Sequence, residues 1–250
     1  VHNEWVFAGA LDGHIYALDI ETGGLMWRYE GSGSLVSGIA VDGNVVVASY
    51  NDNYLRVLDR KDGGYRFKYF NTDGNEGASI MDGEIYVAGR DGMVRAVISN
   101  EKEAFYDGIV RWSLVQSYAW GWRDTMPHQR GYLWKFRLPG TKFIGFPAIK
   151  EDDLFAVAME GEMLSLNRKQ GHEKWHFKTG DPEIRFTTSP VLMGPWAVAG
   201  DSEGSVYWID QETGEIDFKK QYERNPITHI IFADGVLIIC SSDGVMSGYY

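Results

Sequence analysis

The chain has 250 residues, 44% hydrophobic and 14% aromatic, with 30 glycines, a composition suited to strands joined by tight turns and not to a disordered chain. Its 24 basic and 35 acidic side chains leave a net charge of −11, which opposes binding to phosphate backbones, and no apolar run is long enough to cross a bilayer as a helix. The single cysteine, Cys240, excludes an internal disulfide, a CxxC zinc site and a CxxCH haem attachment.

The chain starts at Val1 instead of a methionine, so a preceding signal peptide or lipid-anchor segment is compatible with it. From there the sequence falls into copies of one pattern. A short apolar run, "VFAGA", leads into Asp12-Gly13, and a second run, "HIYALD", follows. Two apolar runs around Asp-Gly predict a hairpin whose two central residues both take positive φ. Asp19 and Gly23 then mark a second turn, in which the Asp side chain caps nearby backbone N–H groups before glycine reverses the chain. A strand carrying Trp27 and a fourth run, "LVSGIAVDG", complete the set.

Along the chain the first turn returns as Asp52-Asn53, Asp91-Gly92, Glu160-Gly161, Glu203-Gly204 and Asp243-Gly244, at spacings of 40, 39, 69, 43 and 40. Asp19 is matched by Asp59, Asn167 and Asp210, Gly23 by Gly63, Gly171 and Gly214, and Trp27 by Phe67, Trp175 and Phe218. Four antiparallel strands every ~40 residues are the blade of a β-propeller. The expected fold is all-β, a propeller of four-stranded antiparallel blades, about six in number. The first blade lacks its first strand and the sixth its last, within a single domain over residues 1–250.

The one long interval lies in blade three. From the turn glycine to the matching aromatic is 14 residues elsewhere, but 42 from Gly92 to Trp134. The extra residues form an insertion, 99–131, holding Phe105, Tyr106, Trp112, Tyr118, Trp120 and Trp122 beside Arg111, Arg123 and Arg130. A connection this long has a function or its own packing. Either the insertion buries these rings itself, or it presents Trp112, Tyr118, Trp120, Trp122 and Arg123 to a partner, these being residue types common at binding hot spots. Docking at Trp112 in place of Trp134 would shorten it, but "GYLWKFRLPG" fits the repeat better.

Other chemistry has little support. His172 and His176 stand at a helical metal spacing but flank Trp175 on an expected strand, which favours surface positions. Cys240 occupies a place where other copies carry Gly9, Ser49 and Gly200, which favours packing. The acidic turns are a blade apart and cannot converge on one calcium ion. No P-loop, GxSxG or GxGxxG element occurs.

The pattern DGxIYALD–xxTGxxxW–SPVxxxG, clearest in "LDGHIYALDIETGGLMWRYEG" and "GHEKWHFKTGDPEIRFTTSPVLMG", resembles the PQQ-like (quinoprotein-type) propeller repeat. In that family the aromatic of the last strand docks between blades, which assigns Trp27, Phe67, Trp134, Trp175 and Phe218 as docking residues. The resemblance to the non-catalytic, BamB-like members implies a scaffold or interaction subunit of a larger, membrane-associated assembly. Its partners would be other protein subunits, with no nucleic acid, no membrane span and no cofactor, in an extracytoplasmic compartment such as the bacterial periplasm, with or without a lipid anchor. Alternatives are a PQQ-dependent dehydrogenase relative, disfavoured by the single cysteine and the absence of a calcium-and-base carboxylate set, and a sensor domain of the endoplasmic-reticulum lumen, which "GSGSLVSG" at 31–38 resembles.

Overall fold

The structure, a computed structural model, describes residues 4–31, 35–71, 75–222 and 224–249. Positions 32–34, within the "GSGSLVSG" stretch, and His2 lie outside the described residues.

Each apolar run forms a strand, and the strands pair antiparallel with their sequence neighbours. The first sheet comprises β1 (Trp5–Gly9), β2 (His14–Asp19) and β3 (Leu25–Glu30). The second has β4 (Leu35–Asp42), β5 (Val45–Tyr50), β6 (Tyr54–Asp59) and β7 (Tyr65–Phe70). In the third, β8 (Asn75–Met81), β9 (Glu84–Gly89) and β10 (Met93–Ile98) are separated from β11 (Tyr132–Arg137) by a helix, α1 (Asp107–Ala119). The fourth holds β12 (Phe143–Lys150), β13 (Asp153–Ala158), β14 (Glu162–Asn167) and β15 (Glu173–Lys178). The fifth holds β16 (Val191–Met193), β17 (Trp196–Gly200), β18 (Ser205–Asp210) and β19 (Ile216–Gln221). The sixth ends the chain with β20 (Ile227–Ala233), β21 (Val236–Ser241) and β22 (Met246–Tyr249). The expected blades are therefore present, complete in the middle and three-stranded at each end. The first and last sheets remain separate, so the ring is not closed among the described residues.

The middle two strands of the complete blades are almost continuously buried, because each sheet is covered on both faces. Five apolar cores lie between consecutive sheets among the described residues. One of them joins Tyr86, Ala96 and Trp134 of the third sheet to Leu154 and Leu166 of the fourth. On the inner side the ring of Phe146 fills the space left by two glycines: a Cβ on Gly77 would lie 2.6 Å from it and one on Gly38 2.8 Å.

The outer boundaries are locked by a repeated contact. Trp27, Trp134 and Trp175 are each 8% exposed. Their indole N–H groups donate to the carbonyl oxygens of Arg60 (2.7 Å), Arg168 (2.8 Å) and Gln211 (2.8 Å), all in the following blade. Each ring lies on the turn glycine of that blade: a Cβ would come within 2.7 Å of Trp27 at Gly63, 2.4 Å of Trp134 at Gly171 and 2.6 Å of Trp175 at Gly214. Phe67 is fully buried in the core between the second and third sheets.

Phe218 departs from this arrangement, at 43% exposed. The residues paired with the docking aromatics across the sheet are Ala17, Val57, Ala96 and Ser165 in the earlier blades, but Trp208 in the fifth. Trp208 fills the boundary with the sixth sheet. Phe218 stacks on its ring at a centroid distance of 4.5 Å and an interplanar angle of 18°. The docking place is thus taken one strand inward.

The turns also differ in detail from expectation. At Asp12-Gly13 only the glycine has positive φ, 86°. Gly13 N–H donates to Ala10 O and Ala10 N–H to His14 O, the type I turn with a glycine bulge that joins strands through a longer loop. Asp12 accepts the N–H of His14 at 2.9 Å. The two-residue geometry with positive φ at both centres occurs instead at Asp82-Gly83 and Asp234-Gly235. In the second turn, Asp19 Oδ1 accepts the backbone N–H and the hydroxyl of Thr22, at 2.8 and 2.7 Å, and Asp210 does the same with Thr213.

Candidate functional site: the insertion in blade three

The insertion leaves β10 at Ser99 and returns at Gly131, and its two ends clasp the outer strand of the second blade. Glu103 N–H donates to Arg66 O at 2.7 Å. Further along β7, Gln129 Oε1 accepts the N–H of Phe70 and Gln129 Nε2 donates to Phe70 O, both at 2.8 Å. A side-chain amide thereby completes backbone groups that an edge strand otherwise leaves open. Lys102 pairs with Asp59 at 3.0 Å, and Asp59 also accepts from Arg66 Nε at 2.8 Å. Arg130 ties the base together through Glu101 (2.9 Å), the carbonyl of Lys102 (2.7 Å) and Asp107.

These contacts shift two ionisable groups. Burial alone would raise the Asp59 carboxyl, but Arg66 and Lys102 outweigh it and hold the group below the usual carboxylate range. Burial, and then its hydrogen bond to Glu103, push the Tyr65 hydroxyl upward. Asp59 is therefore an anion and Tyr65 a neutral donor at neutral pH.

Between the anchors, residues 107–119 form α1. Its N-cap, Tyr106, supplies no side-chain cap, but Asp107 stands in the first turn, where a negative charge is favoured by the exposed N–H groups. The helix ends at Trp120 in a Schellman arrangement. Gly121, with φ of 74°, donates to Tyr118 O, and Trp122 N–H donates to Ser117 O, the two bonds that define this stop. Trp120 and Trp122 are consequently fixed edge-to-face, 5.0 Å apart at 70°. Arg111 donates to His128 O at 2.9 Å and His128 stacks on Tyr132, so the returning strand is held beside the helix.

No residue of α1 is buried. Trp112, Tyr118, Trp120 and Trp122 are all exposed, Trp122 at 75%, together with Phe105, Tyr106, Ile109, Val110 and Met126. Arg123 is exposed as well. The structure brings Trp120, Trp122 and Arg123 together at the far end of the helix and places Trp112 two turns earlier. The docking register is the one at Trp134, which is buried, and not at Trp112. The sequence pattern does not predict this helix. Its signals were Asp107 at the start and Gly121 at the stop, obscured by a run rich in β-branched and aromatic residues.

Elsewhere a cleft of about 500 Å³ lies among the inner edges of the third to sixth blades, lined by Arg90, Phe146, Met159, Thr187, Ser189 and His229 among others. Two of its hydroxyls hold the blades together: Thr187 donates to Ile227 O, and Ser189 accepts the N–H of Phe146. Among the described residues no group of three or more His, Cys, Asp or Glu side chains is placed to hold a metal ion. His176 lies 3.0 Å from Glu162 on the neighbouring strand, and His172 is exposed.

The family pattern described as outer membrane protein assembly factor BamB matches residues 1–118 and 129–234. The chain belongs to the BamB family. Its BamB relatives include those of Salmonella typhimurium, 31% identical over 96 residues, and Escherichia coli, 31% over 94. A further BamB, from Alkalilimnicola ehrlichii, is 29% identical over 112 residues. These matches take in 38%, 37% and 44% of this chain, but only 24%, 24% and 28% of the relatives, so they span about a quarter of each relative's length. The crystal structure of BamB from Moraxella catarrhalis superposes with a TM-score of 0.60 at 18% identity, covering 98% of this chain and 79% of that one. The computationally designed Ika8 protein reaches 0.76, also at 18% identity, over 100% of this chain and 69% of its own. At this identity the two structures speak for the fold alone. The family match is interrupted at 119–128, so Trp120, Trp122 and Arg123 lie outside the matched residues, while Trp112 and Tyr118 lie within them.

Proposed function

We propose that the chain is a non-catalytic propeller subunit that scaffolds a membrane-associated assembly serving outer membrane proteins, on the periplasmic side of a bacterial envelope. The observation that carries this reading is the BamB family match over residues 1–118 and 129–234. The fold supports it: conserving blade geometry takes up the recurring acidic and glycine residues, which cap turns and seat tryptophans. Within this reading, the insertion is the contact surface of the propeller, and Trp112, Tyr118, Trp120, Trp122 and Arg123 are its contact residues, the first two within the family match and the last three outside it. Rings that are exposed on an anchored backbone lose little freedom on binding.

Gentle isolation of the tagged chain from its native envelope tests the scaffold role. The expected result is co-isolation of membrane-protein assembly components in fixed proportion. Isolation of the chain alone from intact envelopes overturns it. Addition of PQQ and calcium to the purified chain should produce neither a quinone absorption band nor dehydrogenase activity; either one would favour a quinoprotein instead.

A further inference from the structure

We infer that the end of the insertion seats in the headgroup layer of a phospholipid bilayer of no net charge, with Trp112, Tyr118, Trp120 and Trp122 as interfacial anchors. The inference rests on reading the insertion as a contact surface and names what that surface meets.

The chemistry of the side chains is the first ground. Tryptophan and tyrosine concentrate at the membrane–water boundary because each joins an apolar body to a polar edge. Among the described residues the indole N–H groups of Trp112, Trp120 and Trp122 have no acceptor in the protein, in contrast to those of Trp27, Trp134 and Trp175. Their donors remain available to phosphate and carbonyl oxygens of lipid.

Charge is the second. Residues 101–130 carry four basic side chains (Lys102, Arg111, Arg123, Arg130) and four acidic ones (Glu101, Glu103, Asp107, Asp124), so the whole −11 of the chain resides elsewhere. A neutral patch on an acidic body matches a surface without net charge. An anionic surface would repel the body that carries the patch.

Shape is the third. At about 100° per residue, Trp112 and Tyr118 point about 120° apart and Trp112 and Val110 about 160° apart around the helix axis, and all three are exposed. A flat protein surface covers one side of a helix. A bilayer likewise takes up one face of a helix lying on it, roughly 5–10 Å deep, and Trp112 and Trp120, about 80° apart around the axis, share such a face. The C-terminal stop at Gly121 and the Arg111–His128 bond hold these rings in place before contact.

Flotation of the purified chain with protein-free phosphatidylcholine/phosphatidylethanolamine vesicles tests the inference, with tryptophan emission and quenching by brominated lipid as second readouts. The wild-type chain should float, its emission should shift to shorter wavelength, and binding should persist at high salt. Adding phosphatidylglycerol should weaken it. The combined W112A/W120A/W122A variant should lower the partition coefficient on the order of tenfold or more while the thermal transition of the blades is unchanged. The single Trp122→Ala variant gives the same direction should the triple variant unfold. A wild-type chain that stays unbound to protein-free vesicles, or a triple variant that floats equally well, overturns the inference. So does binding only to vesicles that contain integral membrane proteins, which would make the surface a protein-docking site. Co-isolation of the assembly by the intact chain can succeed in any of these cases, so the scaffold reading stands or falls separately.

Discussion

Gln129 and Phe70, 59 residues apart in sequence, exchange two hydrogen bonds of 2.8 Å, the side-chain amide of one reading the backbone N–H and C=O of the other. The pairing imitates one rung of a β-ladder. It seals the outer edge of the second blade and fixes where the insertion returns to the propeller. Gln129→Ala should free the insertion's C-terminal end at a cost of about 1–2 kcal/mol. Amide exchange at Phe70 and protease cleavage within 119–128 should both accelerate, with the global melting point little changed. Unaltered exchange at Phe70 would show that the edge is covered by other means.

The tryptophan–glycine contacts predict large effects from the smallest side chain. Gly171→Ala places a Cβ 2.4 Å from Trp134 at a residue with φ of 71°, adding a clash to backbone strain, and should cost about 2–4 kcal/mol. Gly140→Ala, with φ of 81° but nothing within 4 Å, should cost about 1 kcal/mol. Denaturant midpoints of the two variants should separate accordingly; equal midpoints would mean that the ring simply moves aside.

The fifth blade predicts a reversal of roles. Trp208→Ala removes a side chain only 2% exposed from the boundary with the sixth sheet and should destabilise by about 3–5 kcal/mol. Phe218→Ala removes a ring that is 43% exposed and should cost about 1–2 kcal/mol. In the fourth blade the order is opposite: Trp175→Ala should be the costly change and Ser165→Ala the mild one, measurable in the same unfolding series.

Acid should loosen the turns. The carboxyls of Asp19 and Asp210 are lowered, the first mainly by the Thr22 hydroxyl and the second mainly by the Thr213 backbone N–H. Asp59, despite burial, is lowered by Arg66 and Lys102. A carboxylate whose folded value lies below its unfolded value stabilises the fold at pH above the unfolded value, about 3.9. That contribution disappears as pH falls through the folded value. Stability should therefore be flat from neutral pH to about 4 and fall below it. Asp59→Asn should lessen the fall and release Lys102, detectable as faster proteolysis next to residue 102.

Much of this architecture is legible in the sequence because one local signal repeats. Asp19, Gly23 and Trp27 recur at fixed distances. The first two have roles set by near neighbours, a carboxylate over two N–H groups and a glycine with positive φ. The third meets the same turn glycine one repeat further on, so the repeat itself encodes its contact. Phe218 escaped because periodicity marks a position and not its occupant; the tryptophan at 208, opposite it, was the visible warning. The helix escaped because a single segment has no second copy to confirm it. Its contact with the second blade runs through Gln129, Arg66 and Phe70, a pairing across 59 residues that no local pattern encodes.

The five cores, each shared by two adjoining sheets, also govern how the molecule comes apart. With every boundary held by one neighbour on each side, unfolding proceeds as a chain of dominoes in which the weakest joint decides where the line breaks. Among the described residues two joints lack an indole seated on the next blade's turn glycine: that between the second and third sheets, filled by the buried Phe67, and that between the fifth and sixth, where the stacked Trp208–Phe218 pair stands and the sheet beyond has three strands. Under force or denaturant the terminal sheet should peel first, while the middle blades, which carry the insertion, hold their shape.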